Sequence, residues 1–136
     1  MKIKLDKWAH MPERAHETDA GLDLKAMNNG VLYPHDCMTF DTGVHVEIPE
    51  GCCGLLVSKS GLNCNYGITS TGLIDQGYTG SIRVKLYNHS DDQKIIRAGE
   101  KISQLVIIPV RYEPIEVVEE ISGGDRGNNG FGSTGM

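Results

Sequence analysis

Apolar residues recur at every second position along much of the chain. Ile3 and Leu5 share one face of KIKL, and Val44, Val46 and Ile48 share one face of GVHVEIPEG. In SIRVKLYN, Ile82, Val84 and Leu86 lie on one face, with Arg83, Lys85 and Tyr87 on the other. A period of two is the pattern of strands laid on a core. QLVIIPV is a short continuous apolar run, which predicts a strand covered on both sides. IEVVEEI predicts a late strand that leaves the domain. Turn-forming clusters separate these runs: NNG at 28–30, YPHD at 33–36, PEG at 49–51, HSDD at 89–92 and RAGEK at 97–101. No long stretch carries a helical apolar face, but SGLNCNYG predicts one or two helical turns capped by Ser60. Many short strands at this spacing predict an all-β sandwich or jelly roll. It would occupy residues 1–122 as one domain, with a glycine-rich tail over 123–136.

Composition narrows the chemistry. A chain of 136 residues fits one domain with a single core. Aromatic residues make up only 6 %, so core bulk falls to Val, Ile and Leu. The net charge of −5 excludes a general nucleic-acid or acidic-membrane binder, which needs a basic face. An anionic small molecule stays within reach if a few cations are focused in a pocket. Cys37, Cys52, Cys53 and Cys64 form no C-x-x-C pair and predict reduced thiols rather than a zinc site or disulfide framework. No segment approaches a membrane span, and the opening MKIKLDKW lacks the apolar run of a signal peptide. A cytoplasmic location is the expectation.

Five stretches carry groups suited to chemistry. AGLDLKA places Asp23 between two core-facing leucines, so its carboxylate points away from the core. There it either faces solvent or holds waters around a magnesium ion, which keeps much of its hydration shell. SKSGL offers Lys59, two hydroxyls and backbone N–H groups after Ser60, either for phosphate oxygens or as a plain turn with a helix cap. TGLIDQGYTGSIRVKLYN predicts a β-hairpin. Asp75 and Gly77 suit its turn, whereas Tyr78 is no turn former. AGEKISQLVI puts Gln104 just before a strand, where its amide suits a phosphate oxygen, a metal-bound water or merely the strand end. The tail RGNNGFGSTG combines one arginine, one phenylalanine and a Ser-Thr pair with glycines.

AGLDL, SKSGL, GLIDQGYTG, GEKISQL and RGNNGFGSTG, in this order, resemble the five motifs of the homotrimeric deoxyuridine triphosphatases, from about Ala20 to Gly135. The resemblance implies a distorted jelly roll and cleavage of dUTP to dUMP and pyrophosphate with Mg²⁺. Such an activity limits uracil in DNA and supplies dUMP for thymidylate synthesis. It implies that Asp75 orients and deprotonates the attacking water and that Tyr78 packs on the deoxyribose, excluding a 2′-hydroxyl. Backbone groups around Gly72 and Arg83 would read the uracil edge in a hairpin too narrow for a 5-methyl group. Lys59, Ser60, Gly61 and Gln104 would hold the α- and β-phosphates, and Asp23 would reach the metal through water. Arg126, Gly132, Ser133 and Thr134 would grip the γ-phosphate while Phe131 stacks on the uracil. The tail would thus be a lid, contributed by a neighbouring subunit of a homotrimer.

Three positions depart from the family pattern: Lys59 and Lys101 stand where arginine is usual, and Leu22 where tyrosine is common. Lysine supplies a point charge rather than a planar fork. Two other readings share the fold. A dCTP deaminase would need a glutamate at the base, and none lies within the third motif. A nucleotide-sensing regulatory protein would have less use for Asp75 and an intact tail.

Overall fold

The period-two runs form strands, and most of them join one curled antiparallel sheet. The structure is a computed structural model that describes residues 1–132, 134 and 135. Among these residues the strands are β1 (Ile3–Leu5), β2 (Gly21–Lys25), β3 (Gly30–Leu32), β4 (Cys37–Asp41) and β5 (Val44–Val46). They continue with β6 (Cys52–Ser58), β7 (Ile68–Ile74), β8 (Arg83–Asn88), β9 (Lys94–Ile96) and β10 (Lys101–Pro109). A single short helix, α1 (Ser60–Tyr66), lies between β6 and β7. The main sheet has the order β2-β10-β6-β7-β8-β4, and β1-β5 and β3-β9 form two-stranded ribbons. The result is the expected all-β, jelly-roll-like fold.

Side-chain alternation decides what is buried. In β8, Val84 and Leu86 are buried while Arg83, Lys85 and Tyr87 are exposed. Ile82, Val44, Val46 and Ile48 join them in one core with Leu24, Phe40, Ile68, Ile96, Ile102 and Leu105. All but Phe40 are the aliphatic side chains that the low aromatic content required.

Four expectations are corrected. Leu5 is exposed although Ile3 packs on the core, because β1 pairs only with β5 and its end runs past the core's edge. The run after Gln104 is covered on one face only: Leu105 is buried, but Val106, Ile107 and Ile108 are half-buried. Lying between β2 and β6 satisfies β10's backbone without covering its outer face. The late strand does not form, and Ile115, Val117 and Ile121 are exposed. A strand needs a partner edge, and this segment meets none among the described residues. Finally, Ser60 is the first residue of α1 rather than its cap; Lys59 holds the cap position with extended backbone and no capping side-chain bond. The helix ends at Gly67, whose left-handed φ of 63° lets its N–H reach the Asn63 carbonyl.

The predicted hairpin is present but splayed. β7 and β8 pair only at Ile68↔Asn88, Thr69↔Tyr87 and Ser70↔Leu86. Beyond Ser70, β7 pairs with β6 through Gly54↔Ile74 to Val57↔Thr71. The matching half of β8 pairs with β4, from Asp41↔Arg83 to Thr39↔Lys85. The two arms follow different neighbours, so a cleft opens between them. Residues 71–74 therefore keep their β8-facing backbone groups out of any ladder.

Candidate active site

One end of the site is built on the sheet's outer face. Asp23 stands opposite Gln104 in the β2-β10 ladder, and Gln104 stands opposite Val57 of β6. Two residues beyond Val57 the chain leaves β6 at Lys59, which brings the lysine back over Asp23. Lys59 Nζ lies 2.7 Å from Asp23 Oδ1, and Gln104 Nε2 donates to the same oxygen at 3.3 Å. Lys101 Nζ takes Asp23 Oδ2 at 2.8 Å and also approaches Glu13 Oε1 at 3.5 Å. Asp23 is only 2 % exposed. It does point away from the leucine core, but into a lid of lysine rather than into solvent.

Burial pushes the Asp23 carboxyl up, but hydrogen bonds from Lys101 and Lys59 outweigh it and hold the group below its ordinary range. Asp23 in turn holds the Lys101 ammonium above its ordinary value. Asp23 and Glu13 against Lys59, Lys101 and Lys25, which lies 2.8 Å from Glu13, leave a surplus of one positive charge at this end. Ser60 and Gly61 are exposed beside it, and no atom lies within 4 Å of where a Gly61 side chain would begin. This end is suited to anionic oxygens.

The other end is the splayed hairpin. A cleft of about 250 Å³ lies between its arms, lined by Leu73, Ile74, Asp75, Tyr78 and Arg83. Asp75 to Tyr78 form a turn, with the Tyr78 N–H donating to the Asp75 carbonyl at 3.1 Å and Gly77 at a left-handed φ of 89°. Gln76 pins the turn from outside, its Oε1 accepting from the Gly51 N–H at 2.9 Å. The Tyr78 ring folds back onto Gly80, where any side chain would collide with it, and its hydroxyl donates to the Ser81 carbonyl at 3.0 Å. Arg83 is kept near the cleft by Asp41, at 3.7 Å. Asp75 is exposed on the rim. Gly72 sits in β7 against Leu56, so close that a side chain there would displace it.

Within one chain these two ends do not meet. Thr71 pairs with Val57, Asp75 follows four residues later in β7's direction, and Lys59 follows Val57 by two in the opposite direction. At the rise of an extended strand that separation is about 20 Å. In the tail, Phe131, Thr134, Arg126 and Gly132 are exposed. Ser133 lies outside the described residues. The structure therefore gathers Asp23, Lys59, Ser60, Gly61 and Gln104 in one place, and Gly72, Asp75, Tyr78 and Arg83 in another.

A family model for dUTPase matches residues 7–135. The chain belongs to the dUTPase family. The chain is 40 % identical over 140 residues to a deoxyuridine 5′-triphosphate nucleotidohydrolase of Clostridium acetobutylicum, covering 100 % of this chain and 97 % of that one. A protein of the same name from Picosynechococcus sp. is 40 % identical over 136 residues, covering 98 % and 96 %. Among solved structures, a mutant dUTPase of Staphylococcus bacteriophage 80alpha with dUpNHpp superposes with a TM-score of 0.89 at 34 % identity, covering 99 % of this chain and 98 % of that one. A mutant dUTPase of phage phi11 of S. aureus, described with a structural Mg(II) ion, gives 0.83 at 31 % identity, covering 90 % and 98 %.

Membership in the dUTPase family orders the motifs, but several residues at the two ends escape motif reading. Lys101 is a second counter-charge to Asp23; the family pattern marks its position as basic but gives no sign that it pairs with Asp23. Gln76, Asp41 and His45 hold the hairpin from outside. Ser58, Ser70 and Ser103 form a hydroxyl floor on the sheet face opposite Gln104, with Ser70 and Ser103 buried and Ser58 half-buried; Ser70 Oγ and Ser103 Oγ lie 2.8 Å apart and Ser103 donates to the Val57 carbonyl at 3.0 Å. A serine on a strand carries no signal of burial, so only the fold reveals this floor.

Proposed function

We infer that this member of the dUTPase family hydrolyses dUTP to dUMP and pyrophosphate, with Asp75 as general base for in-line attack of water at the α-phosphorus. The observation that carries the reading is the splayed hairpin, an exposed carboxylate on the rim of a cleft floored by Leu73 and flanked by Tyr78. A carboxylate within hydrogen-bond reach of a bound water can take its proton as general base. Tyr78, braced on Gly80 and Ser81, offers a rigid face to the deoxyribose and leaves a 2′-hydroxyl no room. The unpaired backbone edge around Gly72, with Arg83 opposite, suits the hydrogen-bonding edge of uracil.

Phosphoryl transfer asks mainly for positioning and charge neutralisation. Lys59, Ser60, Gly61 and Gln104 are arranged for phosphate oxygens, and Lys101 adds charge beside them. Among the described residues no group of three His, Cys, Asp or Glu side chains is placed to hold a metal by protein ligands alone. The donor set instead fits Mg²⁺ carried on the triphosphate itself; Asp23, 2 % exposed with its oxygens taken by Lys59, Gln104 and Lys101, would face the ion's waters only once phosphate draws those lysines away. Bound there, Mg²⁺ would neutralise phosphate charge.

Because the cationic end and the cleft stand about 20 Å apart in one chain, we assign the complete site to a homotrimer in which one subunit's cationic end serves another's cleft. The tail, residues 123–136, completes it as a lid: Arg126, Gly132, Ser133 and Thr134 on the γ-phosphate, Phe131 on the base. The body over 1–122 and the lid are separate units in this reading, consistent with the absence of any ladder after Pro109 among the described residues. Among the described residues no helix is long and apolar enough to cross a membrane, and four unpaired thiols accord with the cytoplasmic location we assign.

Pyrophosphate release from dUTP, dCTP, dTTP and UTP, with and without Mg²⁺, tests this reading. Release from dUTP alone, dependent on Mg²⁺, is the expected result. Silence on all four with calorimetric binding of dUTP would replace hydrolysis by sensing, and ammonia from dCTP would replace it by deamination.

A further inference from the structure

The loop carrying Tyr78 is held from behind by a histidine whose two ring nitrogens both face acceptors. His45, on β5, places Nδ1 2.7 Å from the Thr79 carbonyl oxygen and Nε2 3.0 Å from Asp6 Oδ2. A carbonyl and an ionised carboxylate accept and cannot donate. A neutral imidazole has one N–H and would set a lone pair against one of these oxygens, so only the imidazolium satisfies both.

The surroundings support that state. The His45 side chain is 18 % exposed and Asp6 42 %. From β1, Lys4 lies 3.8 Å from Asp6 Oδ1 and opposes the charge on His45. Lys2 and Glu47 line a separate pocket with His45 and Thr79 but neutralise each other at 3.0 Å. The balance favours the proton: the Thr79 carbonyl, then Asp6, hold the imidazole above its ordinary value, against burial and Lys4. Other clamps on this segment do not titrate near neutrality. Thr42 Oγ1 donates to the Ile82 carbonyl at 2.7 Å, and Asp41 accepts from the Ser81 hydroxyl. Burial raises the Asp41 carboxyl, but Ser81, the Gly43 N–H and Arg83 lower it further, so it stays ionised.

We propose that doubly protonated His45 is a positioning residue for the nucleoside end of the site, a proton-loaded clasp on Thr79 that keeps Tyr78 against Gly80. The proposal rests on the reading of the splayed hairpin as the nucleoside cleft. His45 touches no substrate; it acts through the loop. Because its folded value lies above the ordinary 6.5, the clasp is complete below that value and loses one of its two hydrogen bonds as pH rises through the raised one. Nucleotide engagement therefore weakens on the alkaline side.

The test combines an NMR titration of the His45 ring and Thr79 amide in the full chain with dUTP kinetics from about pH 6 to about pH 9, spanning the imidazole range. Wild type, His45→Ala and His45→Arg are compared. The expected wild-type KM rises about three- to tenfold through the His45 titration, the size of one lost hydrogen bond, with less change in kcat. His45→Ala shows the high KM at every pH. His45→Arg, a permanent double donor, keeps the low KM with a flat profile, and it decides the matter if the alanine variant fails to fold. A KM rise that persists in His45→Arg, or an alanine variant equal to wild type at the acidic end, overturns the clasp. If no pyrophosphate is released from dUTP, the functional reading fails, while the NMR arm still judges the clasp. A His45 that titrates at or below its ordinary value, or a Thr79 amide that does not follow it, overturns the clasp regardless.

Discussion

The two ends of the β6-β7 ladder are built on opposite principles. At the Lys59 end, a buried carboxylate, two ammoniums and an amide already satisfy one another, over a floor of bonded serines. At the Asp75 end, the carboxylate is exposed, the strands have parted, and the loop is held by contacts from outside. The closed end carries charge in a fixed place before any ligand arrives. The open end keeps its Asp75 carboxylate in water and its β8-facing backbone edge unpaired. A site that must grip a polyanion and yet admit a nucleoside benefits from that division: the cations need to be held against mutual repulsion, while the base needs vacant hydrogen-bonding groups.

The sharpest way to break the comparison is to remove function from the open end without touching stability. Asp75→Asn should lower turnover by about 10²- to 10⁴-fold, the range for a general base, while dUTP affinity by calorimetry and the unfolding midpoint stay near wild type. Undiminished turnover would remove Asp75 from the base's role. Truncation after Asp125 should cost turnover by about 10²-fold, as lost positioning does, with little change in the melting curve because the described tail residues are exposed and belong to no strand. A large fall in melting temperature would mean that the tail supports the body rather than closing over it.

The closed end should respond in the opposite sense. Asp23→Asn leaves Lys59 and Lys101 facing each other, and should cost about 1–3 kcal/mol of stability in urea unfolding, less than for a fully buried pair because both lysines reach solvent. A neutral effect would show that the lysines relax away and that the end is not preassembled. The smallest effect belongs to Gly80→Ala. Its φ is not left-handed, so the added methyl acts on the Tyr78 ring alone. KM for dUTP should rise several-fold, about what 1 kcal/mol gives, and discrimination against UTP should fall. An unchanged dUTP-to-UTP ratio would separate Tyr78's placement from sugar selection.

Some of this was readable in the chain and some was not. Alternation in SIRVKLYN and GVHVEIPEG located the buried faces because a strand's side chains can only alternate. The motif stretches located Asp23, Lys59, Asp75 and Gln104 because each sits in a short local pattern. Ser60 was placed one position too far out of α1, since a serine at a helix start reads as a cap whether or not the preceding residue already holds that place. IEVVEEI read as a strand because periodicity reports a face to be covered and says nothing of whether an edge is there to cover it.

By itself, then, the sequence determined the all-β class, the core faces, the order of the five motifs and the family. The tertiary structure alone decided which strands are neighbours, and with that the parting of β7 from β8, the lysine pair on Asp23 and the grip of His45 on Thr79. The reason is physical. Local patterns depend on backbone geometry that repeats every two residues, whereas these contacts join residues from Asp6 to Lys101 whose meeting depends on ladder register between distant strands, and register leaves no mark on any one of them.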